Sequence, residues 1–273
     1  MNRDRLYRTE AIILKRNNLG EADRLLTLYT PYRGKYRVIA KGVRKPTSRK
    51  AGHLEILCHS KLLLARGRSL DIVTQAETVN SFPNLRADLT KTSRAYYIVE
   101  LIDRFTGEGI ENYPLFELLL QVLGWFNAES DVEIITRFYE LHLLGLVGYQ
   151  PQLFRCVRCD ETIRPGDNQF SVGEGGVVCP RCWQKLPELS VQPISVNALK
   201  VLRYLQQHTL EESYHLPLNT EIHRELERLM LKYITYYLER NLKSIEFIRR
   251  VRQPVSSGPA CSPADNSTAG EAL

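Results

Sequence analysis

Two Cys-x-x-Cys pairs are the residues whose types and spacing point most directly to chemistry. They are Cys156 with Cys159 and Cys179 with Cys182, and 19 residues separate the pairs. A separation of about 15–20 residues is typical of a four-thiolate zinc site. Because four thiolates complete the tetrahedral shell of Zn²⁺, no position remains for a catalytic water, and the pattern predicts a structural zinc ion. The alternatives are two disulfides or cysteines that merely lie near one another, but a chain without a secretion signal is expected to keep its thiols reduced.

Motifs of the common enzyme classes are absent from the sequence. It contains no Gly-x-x-x-x-Gly-Lys phosphate loop, no His-Glu-x-x-His and no Gly-x-Ser-x-Gly. The six histidines are scattered without metal-binding spacing, and we expect His142 to be a packed or surface residue. A ligase that carries a barrel and a zinc domain would need a Lys-x-Asp-Gly nucleophile motif, which is also missing. The sequence therefore predicts a binding protein and not an enzyme.

Basic charge is concentrated in the N-terminal part of the chain. The whole chain has 37 Lys/Arg and 31 Asp/Glu, a net charge of +6. Residues 1–80 hold 17 Lys/Arg and 7 Asp/Glu, a balance of +10, which leaves −4 for the other 193 residues. Between Arg33 and Lys50 there are eight basic residues and no acidic one. This concentration predicts a polyanionic partner, most often nucleic acid, although a solvated face that aids solubility is the alternative.

Residues 6–80 have the pattern of short strands separated by turns. The predicted strands are Leu6–Arg16, Asp23–Thr30, Lys35–Val43, Leu54–Ala65 and Leu70–Val79. Gly, Pro, Asn and Ser occupy the breaks between them, as turns require. Five strands of this length fit a small closed barrel. An OB-type barrel is the expected form for a basic one, with an SH3-like barrel as the alternative.

The third predicted strand separates charge from core. Lys35 and Arg37 alternate with Tyr36 and Val38, so the two-residue period of a strand places the cations on one face and the apolar residues on the other. We expect Tyr36 to lie in the core rather than to stack on bases. The loop that follows is too polar for a core and continues the charge. The cations expected to contact phosphates are Lys35, Arg37, Lys41, Arg44, Lys45, Arg49 and Lys50.

Apolar spacing becomes helical from about residue 84 onward. The predicted helices are Asn84–Thr106, Tyr113–Asn127, a helix from Ser130 to Val147, Ser195–Gln207 and Thr220–Arg240. The apolar stripe of the last of these is expected to be core rather than a partner groove. The cysteine segment interrupts the helical pattern, and glycines between Phe170 and Val177 predict a hairpin that carries the second cysteine pair.

These patterns together predict an α+β protein with an inserted metal module. A basic OB-type barrel is expected at residues 1–80, followed by a helical domain at 81–252 with a zinc ribbon inserted at 154–184. Residues 253–273 are dominated by Pro, Ser, Gly and Ala, which predicts a disordered tail. No signal-peptide pattern and no apolar run of transmembrane length is present, so we expect a cytoplasmic location without membrane contact.

The order of these features resembles the bacterial RecO DNA-repair family. The segments that carry the resemblance are Asp23–Thr30, Arg33–Lys35, Val38–Pro46, Ser48–Arg49, and Phe138–Tyr149 leading into Cys156–Cys159. The resemblance covers about residues 5–245, and its specificity lies in the ordered set of segments.

The resemblance implies a recombination mediator. RecO-like proteins bind single- and double-stranded DNA and anneal complementary strands. With RecR, and with RecF, they load the RecA recombinase onto strands coated by single-strand-binding protein, SSB. They dock the acidic C-terminal tail of SSB on the helical domain, and members with four cysteines bind structural zinc.

Several alternatives remain open at the level of sequence. Arg24, in the first matching segment, either joins the phosphate contacts or pairs with Glu21 or Asp23. Near the end of the helical domain, three arginines either extend the DNA path or form a solvated helix end, which we prefer; they are Arg249, Arg250 and Arg252. An RNA-binding barrel with a zinc ribbon, acting in translation or transcription, fits the charge and the cysteines equally well.

Overall fold

The computed structural model describes residues 5–129, 131–187, 190–239 and 242–252, and it has the predicted α+β organisation. Five strands come first: β1 Leu6–Leu19, β2 Asp23–Thr30, β3 Gly34–Ala40, β4 His59–Ala65 and β5 Asp71–Asn80. Helices and a small second sheet follow. The predicted tail, with Cys261, lies outside the described residues, as do Ser130 and Arg240.

The five strands close into a barrel in the order β1-β2-β3-β5-β4. Neighbouring strands are antiparallel except β3 and β5, which pair in parallel at Val38↔Asp71 and Ile39↔Ile72. A small five-stranded barrel closed by such a crossover matches the predicted OB type. Its interior is filled by alternate residues such as Ala11, Leu26 and Val38, all fully buried.

The fourth strand is shorter than predicted. Instead of beginning at Leu54, it begins at His59, because Gly52–Leu54 forms a 3-10 turn and Leu57 has a φ of +71°. A positive φ is incompatible with an extended strand. Leu54 is nevertheless fully buried, so its apolar character reflects a position in the barrel core rather than in a strand.

The helical domain contains nine helices among the described residues. They are α1 Pro83–Ala87, α2 Leu89–Phe105, α3 Tyr113–Ala128, α4 Val132–Leu146, α5 Pro180–Trp183, α6 Val196–Gln207, α7 Leu210–Tyr214, α8 Thr220–Leu238 and α9 Lys243–Arg252. The predicted helix Asn84–Thr106 is wrong in one respect, since the chain breaks at Asp88. The carboxylate of Asp88 accepts hydrogen bonds from the backbone N–H groups of Thr90 and Lys91 and starts α2.

The core of the helical domain is apolar with a buried polar network. The α8 stripe is core as predicted, with Leu226, Met230 and Ile234 fully buried. On α4, Arg137 pairs with Glu140 at 2.9 Å, and both side chains are almost inaccessible to solvent. Tyr97 of α2 donates a 2.6 Å hydrogen bond to Glu140. No described helix is both long enough and apolar enough to cross a membrane.

Candidate nucleic-acid interface and metal centre

The loop after β3 is folded against one end of the barrel. The backbone N–H of Gly42 donates to the Asp23 carboxylate at 2.7 Å, and that of Arg44 donates to the carbonyl of Ala22 at 2.9 Å. Gly42 has a φ of +65°, which the turn out of β3 requires. These contacts fix the loop backbone to the β1–β2 turn, and the Arg44 guanidinium adds a hydrogen bond to the carbonyl of Gly20 at 3.0 Å.

Five of the predicted phosphate-binding cations lie on this loop. Lys41, Arg44, Lys45 and Arg49 are exposed, and Lys50 is half-buried. None of the five forms an ion pair with a residue that the structure describes. The ammonium of Lys50 donates to the carbonyl of Val73 at 2.9 Å. Burial lowers the pKa of Lys50, while the nearby Asp23 carboxylate acts in the opposite direction.

The other three predicted cations face carboxylates. Arg24 pairs with Glu55 at 3.5 Å, so its partner is neither Glu21 nor Asp23. Arg37 pairs with Glu108 at 2.8 Å, and both side chains are about half exposed. Lys35 lies 3.5 Å from Asp103 with a side chain only 12% exposed. Its ammonium also donates to the Asp103 carbonyl at 2.5 Å.

The outer face of β2 and β3 is covered by the helical domain. Tyr29 is fully buried there and belongs to the same apolar cluster as Tyr139 of α4. Lys15 and Lys35 both reach the Asp103 carboxylate of α2. Gly34 makes the close approach possible, because a Cβ at that position would lie 1.8 Å from the carbonyl oxygen of Ile110. OB folds commonly bind nucleic acid on this face, so here much of it is not available.

The tyrosines near the loop contribute little exposed stacking surface. Tyr36 is 8% exposed and lies in the barrel core, as predicted. Tyr29 is buried against the helices. Tyr32 is 68% exposed, but its ring stacks on Tyr113 of α3 with a centroid distance of 5.8 Å.

The four predicted metal ligands converge on one point. Their sulfur atoms all lie within 4.8 Å of one another, and the Sγ atoms of Cys159 and Cys179 are 3.7 Å apart. Four sulfurs placed about 2.3 Å from a zinc ion in a tetrahedron stand about 3.8 Å from each other. All five cysteines of the described residues are free, so no disulfide forms between the pairs. The arrangement can hold a metal ion and fits zinc.

The thiols of Cys156 and Cys182 have pKa values that are shifted in opposite directions. Burial raises the pKa of Cys156, but N–H groups of Cys179, Cys159 and Arg158 point at the sulfur and lower it overall to about 6. Burial and the neighbouring thiols raise the pKa of Cys182 to about 12. Four thiolates in this space repel one another, so a divalent cation is needed to ionise all of them at neutral pH.

A three-stranded sheet supports the cysteine pairs. It consists of β6 Gln169–Ser171, β7 Gly176–Val178 and β8 Val191–Pro193, in the order β7-β6-β8. β6 and β7 form the predicted hairpin, whereas β8 lies beyond the predicted ribbon range 154–184. Phe170 packs edge-on against Tyr233 of α8 at 5.4 Å, so the ribbon is part of the helical domain's core.

His142 and Arg252 both form contacts within the helical domain. His142 is half-buried, with Nε2 2.9 Å from the carbonyl oxygen of Leu205, as expected of a packed residue. Arg249, Arg250 and Arg252 are all exposed at the end of α9, as expected of a solvated helix end. Arg252 also has carboxylate partners. Its guanidinium pairs with Glu133 and Glu227, each at 2.7 Å, and connects α9 to α4 and α8.

Fold and site together define a class of protein: an α+β chain in which a basic OB-type barrel precedes a helical domain with a four-thiolate ribbon. Comparison with known families agrees. The model "Recombination protein O N terminal" matches residues 1–82, and "Recombination protein O C terminal" matches residues 86–246. The chain therefore belongs to the recombination protein O (RecO) family.

Curated relatives span nearly the whole chain. A protein named DNA repair protein RecO from Roseiflexus sp. (strain RS-1) is 43% identical over 266 residues, covering 97% of this chain and 93% of the relative. Another of that name, from Dehalococcoides mccartyi (strain ATCC BAA-2266 / KCTC 15142 / 195), is 40% identical over 88% of this chain and 93% of the relative. A third, from Pelotomaculum thermopropionicum (strain DSM 13744 / JCM 10971 / SI), is 39% identical over 94% of this chain and 99% of the relative.

Proposed function

We propose that this chain is a DNA repair and recombination mediator and not a catalyst. It binds single- and double-stranded DNA, anneals complementary strands, and helps RecR and RecF load RecA onto SSB-coated single strands in the cytoplasm. The observation that carries the proposal is the β3–β4 loop, whose cations meet no carboxylate within the part of the chain that the structure describes. Membership of the RecO family supports the choice of DNA.

Annealing by this protein rests on charge neutralisation. Two DNA strands repel each other through their phosphates, and cations that bind phosphate without reading sequence let any complementary pair approach. The loop cations supply these contacts. Arg24 and Arg37 contribute less, because each already faces a carboxylate. Exposed ion pairs such as Arg37–Glu108 contribute only about 0–1 kcal/mol, so a phosphate can replace the glutamate there. Lys35 mainly fastens the barrel to α2.

Zinc in the ribbon has a structural role in this proposal. Four thiolates fill its coordination shell, so the ion offers no position for substrate. The ribbon's surface supports this role, since three of its arginines pair with acidic residues of the ribbon itself. These pairs are Arg155–Asp160, Arg158–Glu174 and Arg181–Glu161. A largely self-neutralised surface is a poor binder of DNA phosphates, so the ion stabilises the helical domain instead.

The acidic tail of SSB has a candidate groove between α8 and α9. The groove has a volume of about 680 Å³, and four apolar residues contribute to it: Leu231, Leu242, Ile245 and Ile248. Its cations without a described ion-pair partner are Arg224, Arg228, Lys232 and Arg249. Apolar surface beside basic side chains suits a peptide that carries both acidic and apolar residues.

The first experiment measures DNA binding and annealing with a loop variant. Arg44, Lys45 and Arg49, which are exposed, are changed to Glu, and Lys50 is left unchanged because it is half-buried and its ammonium donates to the barrel backbone. Affinity for a labelled single strand is followed by fluorescence anisotropy at several salt concentrations. Annealing of complementary strands precoated with the cognate SSB is followed without ATP.

We expect the wild type to accelerate annealing in a salt-sensitive way and the loop variant to lose both activities. Three lost phosphate contacts reduce the slope of log K against log[salt] by about 2. A control variant reverses three exposed cations elsewhere, Arg164, Lys185 and Lys200, and should behave like the wild type. Unchanged affinity of a folded loop variant would contradict the interface. Stronger binding to a matched RNA strand, without annealing, would favour an RNA-binding protein of translation or transcription.

A further inference from the structure

The covered face of the barrel raises the question of where a bound strand continues beyond the loop. The usual OB surface on β2 and β3 packs against α2 and α4, so a strand held by Arg44 and Lys45 cannot follow it. On the other side of the barrel, the first half of β1, the part of β4 after His59, and β5 have exposed or half-buried outer residues. The second half of β1 and the start of β4 contact the helical domain, through Leu14 and Lys15 and through His59. This side contains a concavity.

That concavity is a groove of about 900 Å³ between the three strands and the end of the β3–β4 loop. Arg8 of β1 and Lys61 of β4 line the groove from the strands, and Arg49, Lys50 and His53 line it from the loop. Cations therefore contribute from both the sheet and the loop, and two of them belong to the loop cluster already described. The groove is continuous with that cluster.

Two glutamates also line the groove. Glu10 lies 3.7 Å from Lys61, which compensates part of its charge, and its carboxylate also lies 3.1 Å from the His59 ring. Glu77 of β5 is exposed, with Lys61 as its partner in the strand register. Four Lys/Arg side chains against two Glu leave the lining net positive. No Phe, Tyr or Trp occurs among the lining residues that the structure describes.

Further cations extend the groove toward the opposite end of the barrel. The backbone N–H of Arg66 donates to the carbonyl of Arg5 at 2.8 Å, so these two exposed arginines adjoin the first residues of β1. Arg8 lies on the same strand. A basic path therefore runs from the loop, through the groove, to the β4–β5 turn.

We propose that this groove on β1, β4 and β5 binds the phosphate backbone of a single nucleic-acid strand that leaves the β3–β4 loop. The inference rests on the proposed function and specifies the path of the strand. Because the groove lacks aromatic rings, it binds by charge rather than by base stacking and does not select a sequence. The bases of a strand held by its backbone face outward, where a complementary strand can reach them.

The test neutralises the two strand-borne cations with an Arg8→Ala/Lys61→Ala variant. Binding of a labelled single strand is measured against salt, with folding verified by circular dichroism. Loss of two full phosphate contacts would reduce the slope of log K against log[salt] by about 1.4 and weaken binding about 25-fold at 0.1 M salt, which are upper limits here. Lys61 contributes less than Arg8, because it already faces Glu10. A Lys185→Ala/Lys200→Ala control should match the wild type. Arg37→Ala, on the covered side of the barrel, should reduce the slope of log K against log[salt] by less than the value of about 0.7 that one phosphate contact contributes.

Glu77→Gln supplies a readout that a folding defect cannot imitate. Removing this carboxylate from the groove should tighten single-strand binding. The inference is overturned if the folded Arg8→Ala/Lys61→Ala variant keeps the wild-type slope, or if Glu77→Gln leaves affinity unchanged. If the loop variant still loses binding in that case, the proposed function stands and only the path is wrong. If the wild-type protein itself binds no strand, the proposed function fails instead.

Discussion

Replacing one zinc ligand tests whether the ribbon is a structural element of the helical domain. In Cys179→Ser, a hydroxyl takes the place of a thiolate, and the remaining three sulfurs cannot complete the shell. Metal binding energy at such sites is folding energy, so loss of the ion destabilises the surrounding chain. Cys58→Ser is a control for the same chemical change, because Cys58 is more buried than Cys179 but lies outside the sulfur cluster.

The expected loss of folding free energy follows from the apolar side chains that the ribbon buries. Five apolar side chains of the ribbon are at most 7% exposed: Ile163, Phe170, Val172, Val177 and Val178. At about 1.5–3 kcal/mol each, exposing them would cost up to about 8–15 kcal/mol. This equals the whole net stability of a typical domain, about 5–15 kcal/mol. We therefore expect loss of zinc to destabilise the entire helical domain and not the ribbon alone.

Urea unfolding followed by circular dichroism, together with zinc content, gives the measurement. Cys179→Ser should contain no tightly bound zinc and should have a much lower urea midpoint and poor solubility. Cys58→Ser should keep its zinc and lose far less stability. DNA affinity of the remaining folded Cys179→Ser protein should be close to wild type. A zinc-free variant with wild-type stability would refute the reasoning, and a well-folded variant without DNA binding would show that the ribbon contacts DNA.

Two further predictions concern packing. Burial raises the pKa of Glu140 to about 7, although Arg137 opposes the shift, so the stability that this group contributes should decline as pH rises from about 4.5 to 7. Glu140→Gln should flatten that dependence of the urea midpoint, and an unchanged pH profile would contradict it. Gly34→Ala should destabilise the contact between the barrel and the helical domain, because the new Cβ would clash with the carbonyl of Ile110. Gly20 has a similar φ but open space around it, so Gly20→Ala should lower the free energy of unfolding by only about 1 kcal/mol. Equal thermal shifts for the two variants would count against the close approach at Gly34.

Local patterns in the sequence were sufficient for much of the architecture. Cysteine spacing identified the four sulfurs that converge, because a knuckle is a short-range structure. Two-residue alternation in β3 correctly separated Tyr36 and Val38 from Arg37, since neighbouring side chains of a strand must face opposite sides. The apolar stripe of α8 was identified as core for the same kind of reason, with the helical period in place of the strand period.

Local sequence patterns did not predict features that depend on one unusual backbone conformation or on a segment distant in the chain. The positive φ of Leu57 shortened β4, although the apolar run gave no sign of it. The outward positions of Arg8 and Lys61 could have been read from the alternation in β1 and β4. What that alternation does not contain is the loop that folds beside them to form a groove.

The sequence by itself determined which residues carry the charge and which sulfurs meet, because both depend on residue type and short-range geometry. Only the tertiary structure decided which cations remain available. Asp103 and Glu108 follow Lys35 and Arg37 by about 70 residues, and only the docking of α2 on the barrel brings them together. A charge pattern along the chain cannot show this pairing, since an ion pair depends on separation in space and on exclusion of water.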